Sequence, residues 1–377
     1  MDIKFGLISS DSHAQLDRDA FTSRMSKTVW GDRIPQVREV EENGELVECW
    51  SVDGEVRSGA VVNCPAALPD KRAVPRRWEA VPRKVYDPVE RLKALDEDGV
   101  DGEVLFPNGP VQNLRFGIAD TAFDLACVQA YNDALGAWTE VSDRFVPLAM
   151  IPYLSPIESV LSQVRRAVDR GHHGLCMLAD PAIIPGVPCL DDPHWYPLWE
   201  LCQDLEIPIT WHAGSGTSLY VPHWEKYSRR QWHTVFTGRI PASVAQMVPF
   251  LVFCGLLDRY PRLKWALAES AVGWMAYVLE SCDHEWERRH LWTEGLPTPP
   301  SEAFRRQIYT SFWFESSGIE LRDYIGLDNI MWESDYPHIT STFPHSREHV
   351  ERTTGVLPAE EQRKLRYGNA MRLYHLN

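Results

Sequence analysis

Eight short apolar runs, separated by longer amphipathic stretches, constrain this chain more than any other feature. They lie at 4–10 (KFGLISS), 101–107 (DGEVLFP), 145–151 (FVPLAMI), 174–179 (GLCMLA), 207–213 (IPITWHA), 263–269 (LKWALAE), 311–316 (SFWFES) and 330–335 (IMWESD). Runs of this kind read as strands, and their alternation with helical periodicity marks βα repeats. Between them, 120–141, 156–170 and 272–292 carry apolar residues at three- and four-residue spacing, and 358–376 reads as a closing helix. Eight strands is the count that closes a parallel barrel, and 377 residues suit one large α/β barrel with insertions.

Two regions break the repeat. Residues 17–90 are rich in charge and proline and hold no βα unit, although 46–62 (LVECWSVDGEVRSGAVV) predicts a hairpin turning at Asp53-Gly54. Residues 214–250, after the fifth strand, are rich in aromatic and basic side chains. Both insertions follow strands, so in a barrel both lie on the C-terminal face, where active sites sit. They suit a lid over a pocket or a dimer interface equally. The expectation is a single domain spanning 1–377.

Composition removes several classes of function. The formal net charge is −15 and the pI about 5.3, which argues against binding a phosphate backbone but not against a small anionic substrate. None of the eight cysteines forms a Cys-x-x-Cys pair, so thiolate zinc and redox motifs have no support. No secretory leader and no run of apolar residues long enough for a membrane span is visible, which predicts a cytoplasmic protein with reduced thiols and no membrane partner.

The chemistry-bearing residues gather at strand ends. The first strand runs into Asp11-Ser12-His13, the fifth ends at His212, the sixth at Glu269 and the eighth at Asp335. Residues i and i+2 of a strand share a face, so Asp11 and His13 can point inward together. Closing the barrel brings the eighth strand beside the first, and Asp335 beside that pair. A buried carboxylate needs a strong partner. Two imidazoles and two carboxylates meeting at one point suit a first-row divalent ion with a position left open. Taken singly, each residue has an ordinary structural explanation, such as a helix N-cap for an aspartate.

In combination the motifs resemble the amidohydrolase superfamily, nearest the branch of aminocarboxymuconate-semialdehyde decarboxylase and the 2,6-dihydroxybenzoate and 5-carboxyvanillate decarboxylases. The resemblance runs from DSH at 11–13 through YPRLKWALAES (260–270) and SDYPH (334–338) to the NA-x-RLY ending at 369–374. It implies a distorted TIM (β/α)8 barrel with insertions after strands 1 and 5. It implies one divalent metal ion (zinc or manganese, or iron) on Asp11, His13, His212 and Asp335. A small carboxylic acid as substrate and a homodimer follow from the same resemblance. Two departures stand out: Asp11 occupies a position that is often His or Glu in relatives, and Glu269 stands where the decarboxylases usually carry a histidine.

Three readings result. The first is a metal-dependent, non-oxidative decarboxylase of an aromatic or unsaturated acid, with Asp335 moving the proton and Glu269 taking part of the absent histidine's role. The second is a metal-dependent hydrolase of an amide, lactone or C–C bond using metal-activated water, and the third a non-catalytic metal-binding barrel. His338 is a further catalytic candidate, and Asn108, Arg229 and Arg230 are candidates for substrate binding, an arginine being suited to clamp a carboxylate. His172 and His173 precede the fourth strand and read as structural.

Overall fold

The computed structural model describes residues 1–57, 59–71, 73–111, 114–214 and 224–376, without the side chains of residues 224, 229, 233 and 236. Strand β1 (Ile8–Ala14) is followed by an inserted antiparallel sheet of β2 (Gln36–Glu42), β3 (Glu45–Val52) and β4 (Glu55–Arg57). The chain then continues through β5 (Gly102–Pro107), β6 (Phe145–Ala149), β7 (Gly174–Met177), β8 (Ile209–His212), β9 (Trp265–Ala268), β10 (Ile308–Phe312) and β11 (Ile330–Trp332). With β1, these seven form an eight-stranded parallel sheet in the order β1-β5-β6-β7-β8-β9-β10-β11, a nearly closed barrel with helices between its strands. A parallel sheet covered by crossover helices is apolar on both faces. Accordingly every residue of these eight strands is buried except His212, which is partly exposed.

The chain divides into two compact units, Met1–Leu175 with Ser334–Arg347, and Cys176–Glu333 with Glu348–Asn377. In the first, the helix Pro88–Asp98 leads into β5. Asp87 caps it, its carboxylate accepting the N–H groups of Val89 and Glu90, and Gly99 ends it in the left-handed conformation at φ 71°. In the second, Trp265 packs 5.4 Å from Trp199 and 5.3 Å from Trp211 between ring centroids, so part of the tryptophan content is core. Among the described residues no helix is long and apolar enough to cross a membrane.

The structure moves some sequence-predicted boundaries for local reasons. The first strand begins at Ile8 rather than at residue 4, because the backbone N–H groups of Lys4, Phe5, Gly6 and Leu7 all turn onto the buried Asp101 carboxylate at 2.6–3.1 Å. The seventh barrel strand, β10, ends at Phe312 rather than 316, because Glu315 draws the N–H groups of Trp313 and Phe314 onto its own carboxylate. The expected helix over 358–376 is interrupted by a wider turn at Lys364–Gly368. The hairpin at Asp53-Gly54 is present, with both residues at positive φ as a two-residue turn requires. Its neighbour β2, which turns into β3 at Asn43-Gly44, carries too little apolar alternation to stand out in the sequence.

Candidate metal centre

In the first unit the site is built on β1 and on the turn after β11. Asp11 and His13 are both buried. The β1/β5 register slips between Ser9 and Ser12, so the strand is irregular just where these two side chains leave it. The His13 Nδ1 lies 2.8 Å from the Pro107 carbonyl. A carbonyl only accepts, so Nδ1 carries the proton and Nε2 presents its lone pair. That Nε2 faces Asp335 Oδ1 at 3.3 Å and Asp11 Oδ1 at 3.6 Å.

Asp335 is fully buried and sits in the left-handed region at φ 54°, a conformation that costs a non-glycine residue energy and collects at functional sites. Its N–H donates to the Asp11 carbonyl at 2.9 Å, and its Oδ2 accepts the Thr340 hydroxyl. His338 Nδ1 stands 3.0 Å from Oδ1, and the His338 ring lies against His13 with centroids 3.9 Å apart. The ligand atoms of His13, Asp335 and His338 all lie within 4.8 Å of one another. Burial alone would raise the Asp335 pKa, but His338 and His13, when their rings carry a proton toward it, outweigh burial and hold the carboxyl below the usual carboxylate range. Hydroxyls lock the backbone in place: Ser9 Oγ donates to the Asp11 carbonyl at 2.6 Å and accepts the Ser334 N–H at 2.9 Å. Nothing in the sequence signals this serine network or Thr340, because Ser and Thr are common at turns and carry no periodic pattern.

In the second unit His212 ends β8. Its Nδ1 lies 2.8 Å from the Ala213 carbonyl, which again leaves the lone pair on Nε2. Glu269 follows β9, is buried and, like Asp335, takes positive φ at 52°. Its carboxylate lies 3.6 Å from His212 Nδ1, and its N–H donates to the fully buried Glu333 at 3.0 Å. Glu333 is a buried carboxylate that the sequence reading passes over, since it precedes the conspicuous Ser-Asp-Tyr-Pro stretch.

The remaining candidates are placed less centrally. Asn108 is buried at the end of β5, with its amide N–H on the Asn63 carbonyl at 3.1 Å and its oxygen on the Gly109 N–H at 3.0 Å. It ties the first insertion to the barrel strand. Arg230 is exposed on the helix Arg229–Thr237, while the Arg229 side chain lies outside the described residues. His172 is buried with Nδ1 on the Ala167 carbonyl at 3.1 Å, and burial pushes its pKa down to about 4, as fits a neutral structural histidine.

The donor set fits a divalent cation. Two lone-pair acceptors, His13 Nε2 and Asp335 Oδ1, face each other at 3.3 Å, an arrangement that needs a proton or a cation between them. The backbone carbonyl on the other imidazole nitrogen is the usual support of a metal-ligating histidine. An eight-stranded barrel with such donors at the ends of its strands defines a class, and the chain belongs to the amidohydrolase family, whose profile it matches over residues 12–376. It is 26% identical to 2-amino-3-carboxymuconate-6-semialdehyde decarboxylase of Dictyostelium discoideum over 265 residues, 67% of each chain. Its fold is similar to that of an amidohydrolase from Mycobacterium avium subsp. paratuberculosis K-10, with TM-score 0.75, 18% identity, and 98% and 97% of the two chains covered. It is also similar to a dihydroxybenzoic acid decarboxylase from Polaromonas sp. JS666, solved with bound manganese and the inhibitor 2-nitroresorcinol, with TM-score 0.62, 23% identity, and 82% and 91% covered. The chain is an enzyme, a carboxy-lyase or a hydrolase.

Proposed function

We propose that this chain is a non-oxidative carboxy-lyase acting on an aromatic or unsaturated carboxylic acid, with one divalent ion held by Asp11, His13, His212 and Asp335. The observation that carries the reading is Asp335, a fully buried strand-end carboxylate with two imidazole nitrogens on one of its oxygens. The decarboxylases among the relatives favour carbon–carbon cleavage, and manganese in one of them favours a hard or borderline divalent ion. When bound, the ion would polarise the substrate carboxylate and an adjacent oxygen substituent.

The chain's own residues supply proton transfer. Protonated neighbouring imidazoles, His338 foremost, favour the ionised form of Asp335 before substrate arrives. A substrate carboxylate adds a like charge, which raises the Asp335 pKa and lets it hold a proton. That proton moves to the carbon bearing the carboxylate. The bond to the carboxyl carbon then breaks, its electron pair restores the ring or double bond, and CO2 leaves. Asp335 regains its proton from solvent, and His338 at 3.0 Å is placed to return it.

Hydrolysis is the second reading, and one observation favours it: Glu269 beside His212 offers a second carboxylate base. Turnover of a panel of hydroxybenzoates and ring-fission acids by metal-loaded enzyme in oxygen-labelled water separates the two. CO2 release without label in the organic product is expected; label incorporation without CO2 would establish the hydrolase instead.

A further inference from the structure

One buried ion pair in the first unit has no part in the chemistry above. Arg91 and Glu103 are both fully buried, and the guanidinium grips the carboxylate through two N–H···O bonds of 2.8 Å. Arg91 comes from the helix Pro88–Asp98, and Glu103 from β5. A buried pair of this kind gains little net stability over well-packed apolar side chains of the same volume, so stability alone is a weak account of it.

The third contact of Arg91 gives a better one. Its Nη2 also donates to the Tyr336 carbonyl at 3.3 Å, and the guanidinium lies 4.1 Å from the centroid of the Tyr336 ring. The same carbonyl accepts the His13 N–H at 2.7 Å. Tyr336 directly follows Asp335, whose own N–H is on the Asp11 carbonyl. One carbonyl therefore joins the backbone of His13 to the turn that carries Asp335, and Arg91 holds that carbonyl from behind. Strand β5 contributes twice, through Glu103 on Arg91 and through the Pro107 carbonyl on the His13 ring.

We infer that Arg91, fixed by Glu103, is a positioning residue that sets the backbone presenting His13 Nε2 and Asp335 Oδ1 to the metal ion. The inference rests on the metal reading proposed above. Lysine could not substitute, because a single ammonium on a flexible stem cannot hold the carboxylate in a fork, donate to the carbonyl and lie against the tyrosine ring together.

The test replaces both charges with apolar side chains, Arg91→Met with Glu103→Met, so that no unpaired charge is left buried. Folding is followed by circular dichroism and thermal melting, and cobalt(II) serves as the probe ion, read by its visible absorption and by chelator competition. The double variant is expected to fold with a melting temperature near that of wild type. It should bind cobalt about tenfold or more weakly, the range seen when a residue supporting a metal ligand is lost, with a changed visible spectrum. Wild-type affinity and spectrum in a folded double variant would overturn the inference. So would a double variant that does not fold, since the pair would then be a stability element. A wild-type protein that takes up no cobalt fails differently: it removes the metal reading itself, and this inference with it.

Discussion

Two turns of this molecule carry the same device in different surroundings. Glu269 directly follows β9, and Asp335 stands three residues past the end of β11; each is a buried carboxylate on a left-handed backbone. Around Asp335 stand two imidazoles, the Thr340 hydroxyl and the backbone of β1. Glu269 has the His212 imidazole at 3.6 Å among the described residues, and its N–H donates to another carboxylate, Glu333. The difference teaches that a strained strand-end acid is a general means of aiming a carboxylate, while its partners decide what it does. In the proposed function Asp335 exchanges a proton and Glu269 serves as an auxiliary acceptor.

If that contrast is right, the largest effect of any single substitution falls at Asp335. Asp335→Asn keeps the shape and loses both the charge and the exchangeable proton. A fall in kcat of about 10²–10⁴-fold is expected, the usual worth of a positioned general acid or base. Steady-state CO2 release on the best substrate measures it, and near-wild-type turnover would leave Asp335 without a proton-transfer role.

The contrast can also be sharpened from the imidazole side. His13 and His338 stand beside a carboxylate, whereas His172 is buried against the Ala167 carbonyl and its pKa is pushed down to about 4 by burial. Its unfolded value is about 6.5, so between these limits the unfolded chain binds the extra proton. Stability from this group is complete above about pH 6.5 and is lost as pH falls toward about 4. The arithmetic gives about 2 kcal/mol less stability at pH 5 than at pH 7 from His172 alone. Urea unfolding of wild type and His172→Phe at the two pH values checks it: the slope difference between the proteins should approach that figure, and parallel slopes would refute it.

The barrel was legible because eight apolar runs with helical spacing between them leave few alternatives. The placement of Asp11, His13, His212, Glu269 and Asp335 in or just after barrel strands followed from the same pattern, although β1 extends to Ala14 and so contains Asp11 and His13; the resemblance supplied the metal. What stayed hidden were features that arise from folding rather than spacing. The Asp101 cradle consumes four backbone donors and delays β1, and no local rule announces it. The positive φ of Glu269 and Asp335 breaks residue preference for a reason only the assembled sheet provides. The pairing of Arg91 with Glu103 and the burial of both arise only in the fold, and no spacing in the sequence announces them. Asn108, a candidate for substrate binding in the sequence, has its amide engaged with the backbone of Asn63 and Gly109.

The smallest predicted effect bears most directly on whether the two turns differ. Glu269→Gln removes charge at the β9 turn while leaving its shape. If Glu269 is an auxiliary acceptor, the negative charge 3.6 Å from the His212 imidazole is lost, and kcat should fall about tenfold. Metal content, measured by elemental analysis of the purified variant, should match wild type, because the ion in this reading rests on Asp11, His13, His212 and Asp335. Metal loss in step with activity would mean that Glu269 is itself a ligand. The two turns would then be doing one job from two strands, and the distinction drawn from their neighbours would fail.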